Sequence, residues 1–411
     1  MVGGAALLVA QADPTGAPVA ADPDAPDALA GRFTAADEAF YLRRYETFVA
    51  AVRAGQATTT YDTLATVGGA RGDVPLRRAG RGAIDASAIE TAVAYARGNK
   101  SSVLMIAKDG AVVHEAYFGQ TTPDTLINSK SLAKPLGVVA VGRAIERGAI
   151  VGLDQPVADF ITEWRDTPKN RILVRHLLDM RSGLLAQARA SGPDHILNRA
   201  YLHPRHDEVI IHDYPLTHPP GSRYDYSNAT SELVAPLIER ATGQRYEDWV
   251  ADQVLAPIGA RGGTIWLNRE GGVAHAGCCI QLPAESWLRL ALLVMNDGVW
   301  DGQRLLPPDF ALAMRTPTPQ NPFVGMGLYV GATYTPWRGA ANPDTDFPVT
   351  YHSEPYVDAD LILFDGNGNQ VAYMVPSKNL VILRLGDRPP KQPPWDNAFL
   401  PNLISRALAD R

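Results

Sequence analysis

From Ser101 the apolar residues follow the pattern of strands: SSVLMIAKDGAVVHEAYFG gives two β-rich runs joined at Asp109-Gly110, a dipeptide suited to a tight hairpin. The far end repeats the pattern. From Ala359 to Gly386, ADLILFDGNGNQVAYMVPSKNLVILRLG reads as three strands with turns near Gly366 and Ser377. Between the two ends the pattern is mostly helical. Helices are expected over 135–147 closed by Gly148, 174–181 closed by Gly183, 231–242 closed by Gly243, and 284–295 opened by Pro283. Pro236 inside the third predicts a kink rather than a break. Strands at both ends with helices between imply an α/β fold of the α+β kind: an antiparallel sheet built from both chain ends and flanked by helices, with an inserted, mainly helical domain. The expected boundaries are 1–30 for a signal-like stretch and spacer, 31–135 with 345–411 for the sheet domain, and 136–344 for the helical one.

Composition narrows the function. The 411 residues are 46% apolar and 20% charged, enough for one large core or two joined ones. A net charge of -6, with Lys and Arg scattered, gives no basic stripe to neutralise phosphates, so nucleic acid is not an expected partner and small molecules are. Oligomeric state leaves no trace in the pattern. The two cysteines, Cys278 and Cys279, are adjacent and cannot staple distant segments; they read as buried thiols in a strand. No zinc-type spacing occurs. The opening MVGGAALLVAQA carries a short apolar run and a small-x-small ending at Ala10-Gln11-Ala12 but no basic lead, which points to a periplasmic or secreted protein, with a cytoplasmic one as the alternative. The Pro, Ala and Asp-rich stretch after it reads as a spacer. No later apolar run is long enough to span a bilayer.

The candidate chemistry lies in INSKSLAKPLG, Ile127 to Gly137. In an S-x-x-K pair, residues three apart share a helix face, so the amine reaches the hydroxyl and can take its proton. Ser129 has Leu132 at plus three, whereas Ser131 has Lys134. Ser131 is therefore the candidate nucleophile, and Lys130 is left as a surface charge. Pro135 requires the helix to begin close to Ser131, because proline is tolerated only near a start. That leaves the Ser131 amide free to meet a developing oxyanion.

Two further stretches join this one: Tyr226-Ser227-Asn228 in a turn before a helix, and Asn367-Gly368-Asn369-Gln370 ahead of a strand. With LVRHLLDMRSGL and LLPPDF around them, the three ordered motifs resemble the serine hydrolases of the class C β-lactamase type. These include D-alanyl-D-alanine peptidases, esterases and 6-aminohexanoate-dimer hydrolases, and share the β-lactamase/transpeptidase-like fold. The resemblance, from about Ser101 to Gly386, implies Ser131 as the acylated nucleophile, Lys134 as its base or relay and Tyr226 as a second proton carrier. It implies Asn228 as a substrate or lysine contact, Asn367, Gly368 and Asn369 as substrate-binding residues, and Gln370 as the second oxyanion amide beside Ser131. Such chemistry needs no cofactor and no metal. A lysine base at neutral pH must titrate roughly 3 pH units below its ordinary ~10.4. Lys134 and Tyr226 would titrate together, so the base is not assignable to either from sequence, and activity is expected to rise with pH.

Where penicillin-recognising members place a lysine, this chain has Asn367, and a neutral amide forgoes a charge-assisted contact worth about 1.5–3 kcal/mol. Arg384 reads as a strand residue rather than its substitute. The expected activity is thus hydrolysis of a small ester or linear amide, as by a carboxylesterase or a 6-aminohexanoate-oligomer amidase. The alternatives are a β-lactamase or D-alanyl-D-alanine carboxypeptidase, and a catalytically silent binding or sensor protein. Asp365, Asn367 and Asn369 alternate as in a calcium loop, but Gln370 and Pro376 stand where that loop needs glycine and glutamate. The histidine-rich loop before Tyr226 is expected to border the pocket, with Tyr201 or His203 as candidate substrate contacts, and His176 reads as a packed helix residue.

Overall fold

A computed structural model describes residues 32–54, 61–72, 74–188, 190, 192–339 and 349–408. The signal-like stretch and spacer, and part of the 334–358 insertion, lie outside the described residues.

The main sheet has six antiparallel strands: β1 (Ser101–Lys108), β2 (Ala111–Tyr117), β3 (Tyr329–Val330), β4 (Ile362–Gly366), β5 (Gln370–Val375) and β6 (Leu380–Gly386). Their order is β2-β1-β6-β5-β4-β3, so the first and last strand groups meet at the β1–β6 pair, with Ile382 opposite Ile106. Both expected turn groups hold. Asp109 and Gly110 take φ of 53° and 72° between β1 and β2, which is the handedness a two-residue hairpin requires.

Every other residue goes to a different core. Val103, Met105, Val381, Leu383, Ala372 and Met374 face the inserted helices, while Leu104, Ile106, Leu380, Ile382, Val371 and Tyr373 face the helices Ala86–Gly98 and Phe399–Arg406. Both faces of the sheet are therefore dry, which explains why its strands are apolar throughout rather than alternating with polar residues.

The inserted region is helical, as expected, with local corrections. The helix over 284–295 forms as predicted, and the helix after Ser131 runs Ala133–Glu146, with Gly148 at φ 75° behind it. The helix predicted over 174–181 ends at Leu178: Met180 turns to φ 59°, and the Asp179 carboxylate takes two hydrogen bonds from Arg181. Pro236 does not kink one helix. The segment divides at Leu233 into Asn228–Glu232 and Val234–Thr242, so proline falls in the first turn of the second helix, where its missing N–H costs nothing.

A second, four-stranded sheet has no clear counterpart in the sequence pattern. Leu64–Val67, Gly263–Trp266, Ile280–Leu282 and Ile127–Asn128 pair in that order. Its last strand leads straight into the turn that holds Ser131, and the Ser129 amide donates to Ile280 O at 2.9 Å. Cys278 and Cys279 precede that strand rather than lie in it. They are bonded to each other, and Cys279 has φ 71°. Among the described residues no helix is long and apolar enough to cross a membrane.

Candidate active site

Ser131 sits in a 3-10 turn, Lys130–Leu132, that runs directly into Ala133–Glu146. Lys134 lies one turn on, and its Nζ donates to Ser131 Oγ at 3.1 Å. Tyr226 arrives from the other side, its hydroxyl 2.9 Å from the same Oγ. The Ser227 side chain caps the helix behind it by accepting from the Thr230 amide, which fixes Asn228 in the first turn. From there Asn228 Oδ1 accepts from Lys134 Nζ at 3.0 Å. The loop before Tyr226 is tied down by Gln187, whose amide donates to Tyr226 O and whose Oε1 accepts from the Asn228 amide.

Lys134 Nζ has a third partner, Gly277 O at 2.9 Å. Asn228 Oδ1 and Gly277 O can only accept, so they claim two hydrogens of the amine. The remaining direction, toward Ser131, holds an N–H in the ammonium and a lone pair in the neutral amine. The geometry thus serves both halves of a proton relay: a neutral lysine can receive the serine proton without losing either anchor.

The four residues of the first two motifs are brought together, and the third-motif residues are placed differently. Asn367, Gly368 and Asn369 form the β4–β5 turn, with Gly368 and Asn369 at φ 84° and 56°. Asn367 Oδ1 accepts from Arg388 at 2.8 Å, and the carbonyls of Gly368 and Asn369 accept from Arg384. Gln370 is buried at the start of β5, its side-chain amide donating to Asn128 O at 2.8 Å and its Oε1 accepting from the Gly386 amide. From this hairpin the residue that lines the cleft is Asp365. Gly366 follows it because a Cβ there would stand 3.2 Å from the Leu132 amide nitrogen, against the turn that holds Ser131.

The cleft at Ser131 opens to solvent, and its free space, counted together with that open mouth, is about 580 Å³. Apart from Ser131, Lys134, Tyr226, Ser231, Tyr329 and Asp365, its walls are apolar or glycine: Val138, Leu177, Leu178, Met180, Val324 and Leu328 are among them. Asp365 is paired with the buried Arg338 at 2.8 Å, and burial pushes its carboxyl above the ordinary carboxylate range against the pull of that guanidinium. Arg338 is therefore already engaged by Asp365. This pairing also removes Asp365 from any calcium loop.

Other expectations are corrected. Lys130 is not a surface charge but half-buried, and desolvation brings its amine down to about 8. Tyr201 and His203 are buried away from the cleft, Tyr201 beside the two cysteine sulfurs and His203 against Phe33 and Tyr41. Arg384 is a strand residue as expected, wholly buried, and its guanidinium reaches Ser101 Oγ and four backbone carbonyls. His176 is buried in its helix, accepting from the Leu173 amide.

The family model for Beta-lactamase matches residues 86–400, and the chain belongs to that family of serine hydrolases. It is 29% identical over 184 residues to esterase EstB of Burkholderia gladioli, covering 39% of this chain and 45% of that one. It is 24% identical over 229 residues to the 6-aminohexanoate-dimer hydrolase of Paenarthrobacter ureafaciens, covering 50% and 55%. The chain spans about half the length of these curated relatives. A solved structure of a 6-aminohexanoate-dimer hydrolase-like protein from Bacillus anthracis superposes with a TM-score of 0.63 at 17% identity, covering 84% of this chain and 89% of that one, and shares the fold.

Proposed function

We propose that the protein hydrolyses small neutral esters or linear amides through an acyl-enzyme on Ser131. The observation that carries this reading is the meeting of Tyr226 OH and Lys134 Nζ on one serine oxygen, at 2.9 and 3.1 Å, at the floor of an apolar cleft. Ser131 Oγ attacks the acyl carbon while its proton passes into the Lys134–Tyr226 pair; the same pair returns the proton to the departing alcohol or amine, and water repeats the sequence to release the acid. The Ser131 amide, at the start of its helix, supplies one oxyanion donor, with Gln370 as the sequence-derived candidate for the second.

Neutral substrates are favoured by the cleft wall. Asp365 faces it, and Arg338 is held by Asp365, so an anionic β-lactam carboxylate meets a carboxylate where a recognising cation is needed. The names of EstB and of the 6-aminohexanoate-dimer hydrolase point the same way.

The test compares turnover of p-nitrophenyl butyrate and nitrocefin, together with mass spectrometry after a fluorophosphonate. Ester turnover well above lactam turnover, with the adduct mapped to Ser131, is the expected outcome. Faster nitrocefin hydrolysis makes the protein a β-lactamase or peptidase, and the absence of any adduct makes it a binding or sensor protein.

A further inference from the structure

Three titratable side chains from separate segments converge next to the lysine's anchor without serving the serine. His206 opens the short helix His206–Glu208, Glu232 ends the helix that begins with Asn228, and His275 lies two residues before Gly277. Their exposures are 0%, 2% and 0%. His206 Nε2 lies 3.7 Å and His275 Nδ1 3.6 Å from Glu232 Oε2, and one ligand atom from each falls within 4.8 Å of the others.

These gaps are too long for hydrogen bonds. Both nitrogens of each ring and Glu232 Oε2 are buried and have no hydrogen-bond partner. A cluster of buried polar atoms left unpaired is expensive to maintain, and each such group calls for a missing partner. The spacing suggests which one. Imidazole and carboxylate ligands held at about 2.1 Å around a small cation lie roughly 3.3–3.6 Å apart. The donor set of two imidazoles and one carboxylate suits zinc and its transition-metal neighbours, whereas calcium and magnesium favour all-oxygen sites.

We propose that His206, Glu232 and His275 bind one divalent transition cation, with zinc the fitting choice, and that the bound cation braces the Gly277 carbonyl beneath Lys134. The brace runs through contact, since a Cβ added at Gly277 would stand 2.9 Å from Glu232 Oε1. The neighbouring cation, Arg44, is already engaged by Asp62 at 2.6 Å. His275 is sandwiched between Trp266 and His206, with ring centroids 4.0 and 4.2 Å away and planes within 11° of parallel. Coordination by both imidazoles requires one to leave this stack, and His206, with aromatic packing on fewer sides in that stack, is the ring that turns. The proposal does not rest on the hydrolase reading.

The experiment uses the full chain stripped with dipicolinate and titrated with cobalt(II), followed by its visible d–d bands, with zinc competing. Metal content of untreated protein is measured by plasma mass spectrometry. The expected result is one equivalent of metal per chain, tetrahedral or five-coordinate cobalt bands displaced by zinc, and affinity at least 100-fold weaker in Glu232→Gln and His206→Ala. His212→Ala, which changes an exposed histidine, should keep full binding. Circular dichroism of the metal-free variants identifies any that fail to fold, and Glu232→Gln, nearly isosteric, is then read alone. No cobalt uptake, or uptake equal in wild type and Glu232→Gln, overturns the proposal and leaves a cluster that holds only protons.

Discussion

Two polar clusters share Gly277, and they are built in opposite ways. On one side Lys134, Ser131, Tyr226 and Asn228 form a connected set in which each contact lies between 2.9 and 3.1 Å. On the other, His206 and His275 stand 3.7 and 3.6 Å from Glu232, and the facing atoms have no hydrogen-bond partner. The contacts of the first cluster are hydrogen bonds among its own members and Gly277 O. The second is more deeply buried, and its ring nitrogens and Glu232 Oε2 lack hydrogen-bond partners, which the proposed cation would supply. One helix serves both, with Asn228 at its start and Glu232 at its end.

The largest effect separating the clusters is chemical. Ser131→Ala should lower kcat/KM on p-nitrophenyl esters by about 1,000-fold or more, and Lys134→Ala and Tyr226→Phe by about 100- to 10,000-fold, without loss of the folded state. Steady-state kinetics and circular dichroism check this. Full turnover in any one variant removes that residue from the relay. His212→Ala should change neither measurement.

The shared wall is tested by Gly277→Ala. Its Cβ would lie 2.9 Å from Glu232 Oε1 and 3.0 Å from Ser231 Cβ, tighter than nearly all real Cβ contacts, so the Glu232 carboxylate or the backbone beside it must give. The expected cost is about 1–3 kcal/mol of stability in urea unfolding, together with a fall in kcat as Gly277 O shifts from Lys134. A fall in one cluster's readout with the other unchanged would show that the two are not coupled through this residue.

The same contrast explains how much could be read from the sequence. Ser131 and Lys134 are three residues apart on one helix, and the hairpin at Asp109-Gly110 is closed by its own dipeptide; both are local facts, and local spacing records them. Tyr226 and Asn228 were legible as a third and fourth member only through their resemblance to a known arrangement. His206, Glu232 and His275 come from positions up to 69 apart in the chain, in no spacing that a motif describes. The four-stranded sheet was hidden for the same reason, since its strands are two to four residues long and come from four segments. Lys130 shows a further limit. A charge beside a reactive helix start looks solvated in sequence, whereas the approach of neighbouring segments decides its burial.

The smallest effect concerns the histidines outside both clusters, and it sharpens the contrast between a buried ring with a hydrogen-bond partner and one without. His352 faces Tyr356 OH at 3.1 Å, and His176 accepts from the Leu173 amide. Burial first, and then a nearby guanidinium, Arg338 for His352 and Arg181 for His176, hold these imidazoles down to about 3 and about 4. An unfolded histidine titrates near ~6.5, so below that pH the unfolded chain takes up protons that the folded chain refuses. Stability contributed by the two neutral rings is complete above about 6.5 and is lost as pH falls toward about 4 and then 3, by at most about 3 kcal/mol for His176 and about 5 kcal/mol for His352. His352→Phe should therefore make unfolding free energy less steep in pH between about 6.5 and 4, as measured by urea titrations on chelator-treated protein at several pH values. An unchanged slope would mean that His352 is protonated in the folded chain, in spite of Arg338 and the burial around it.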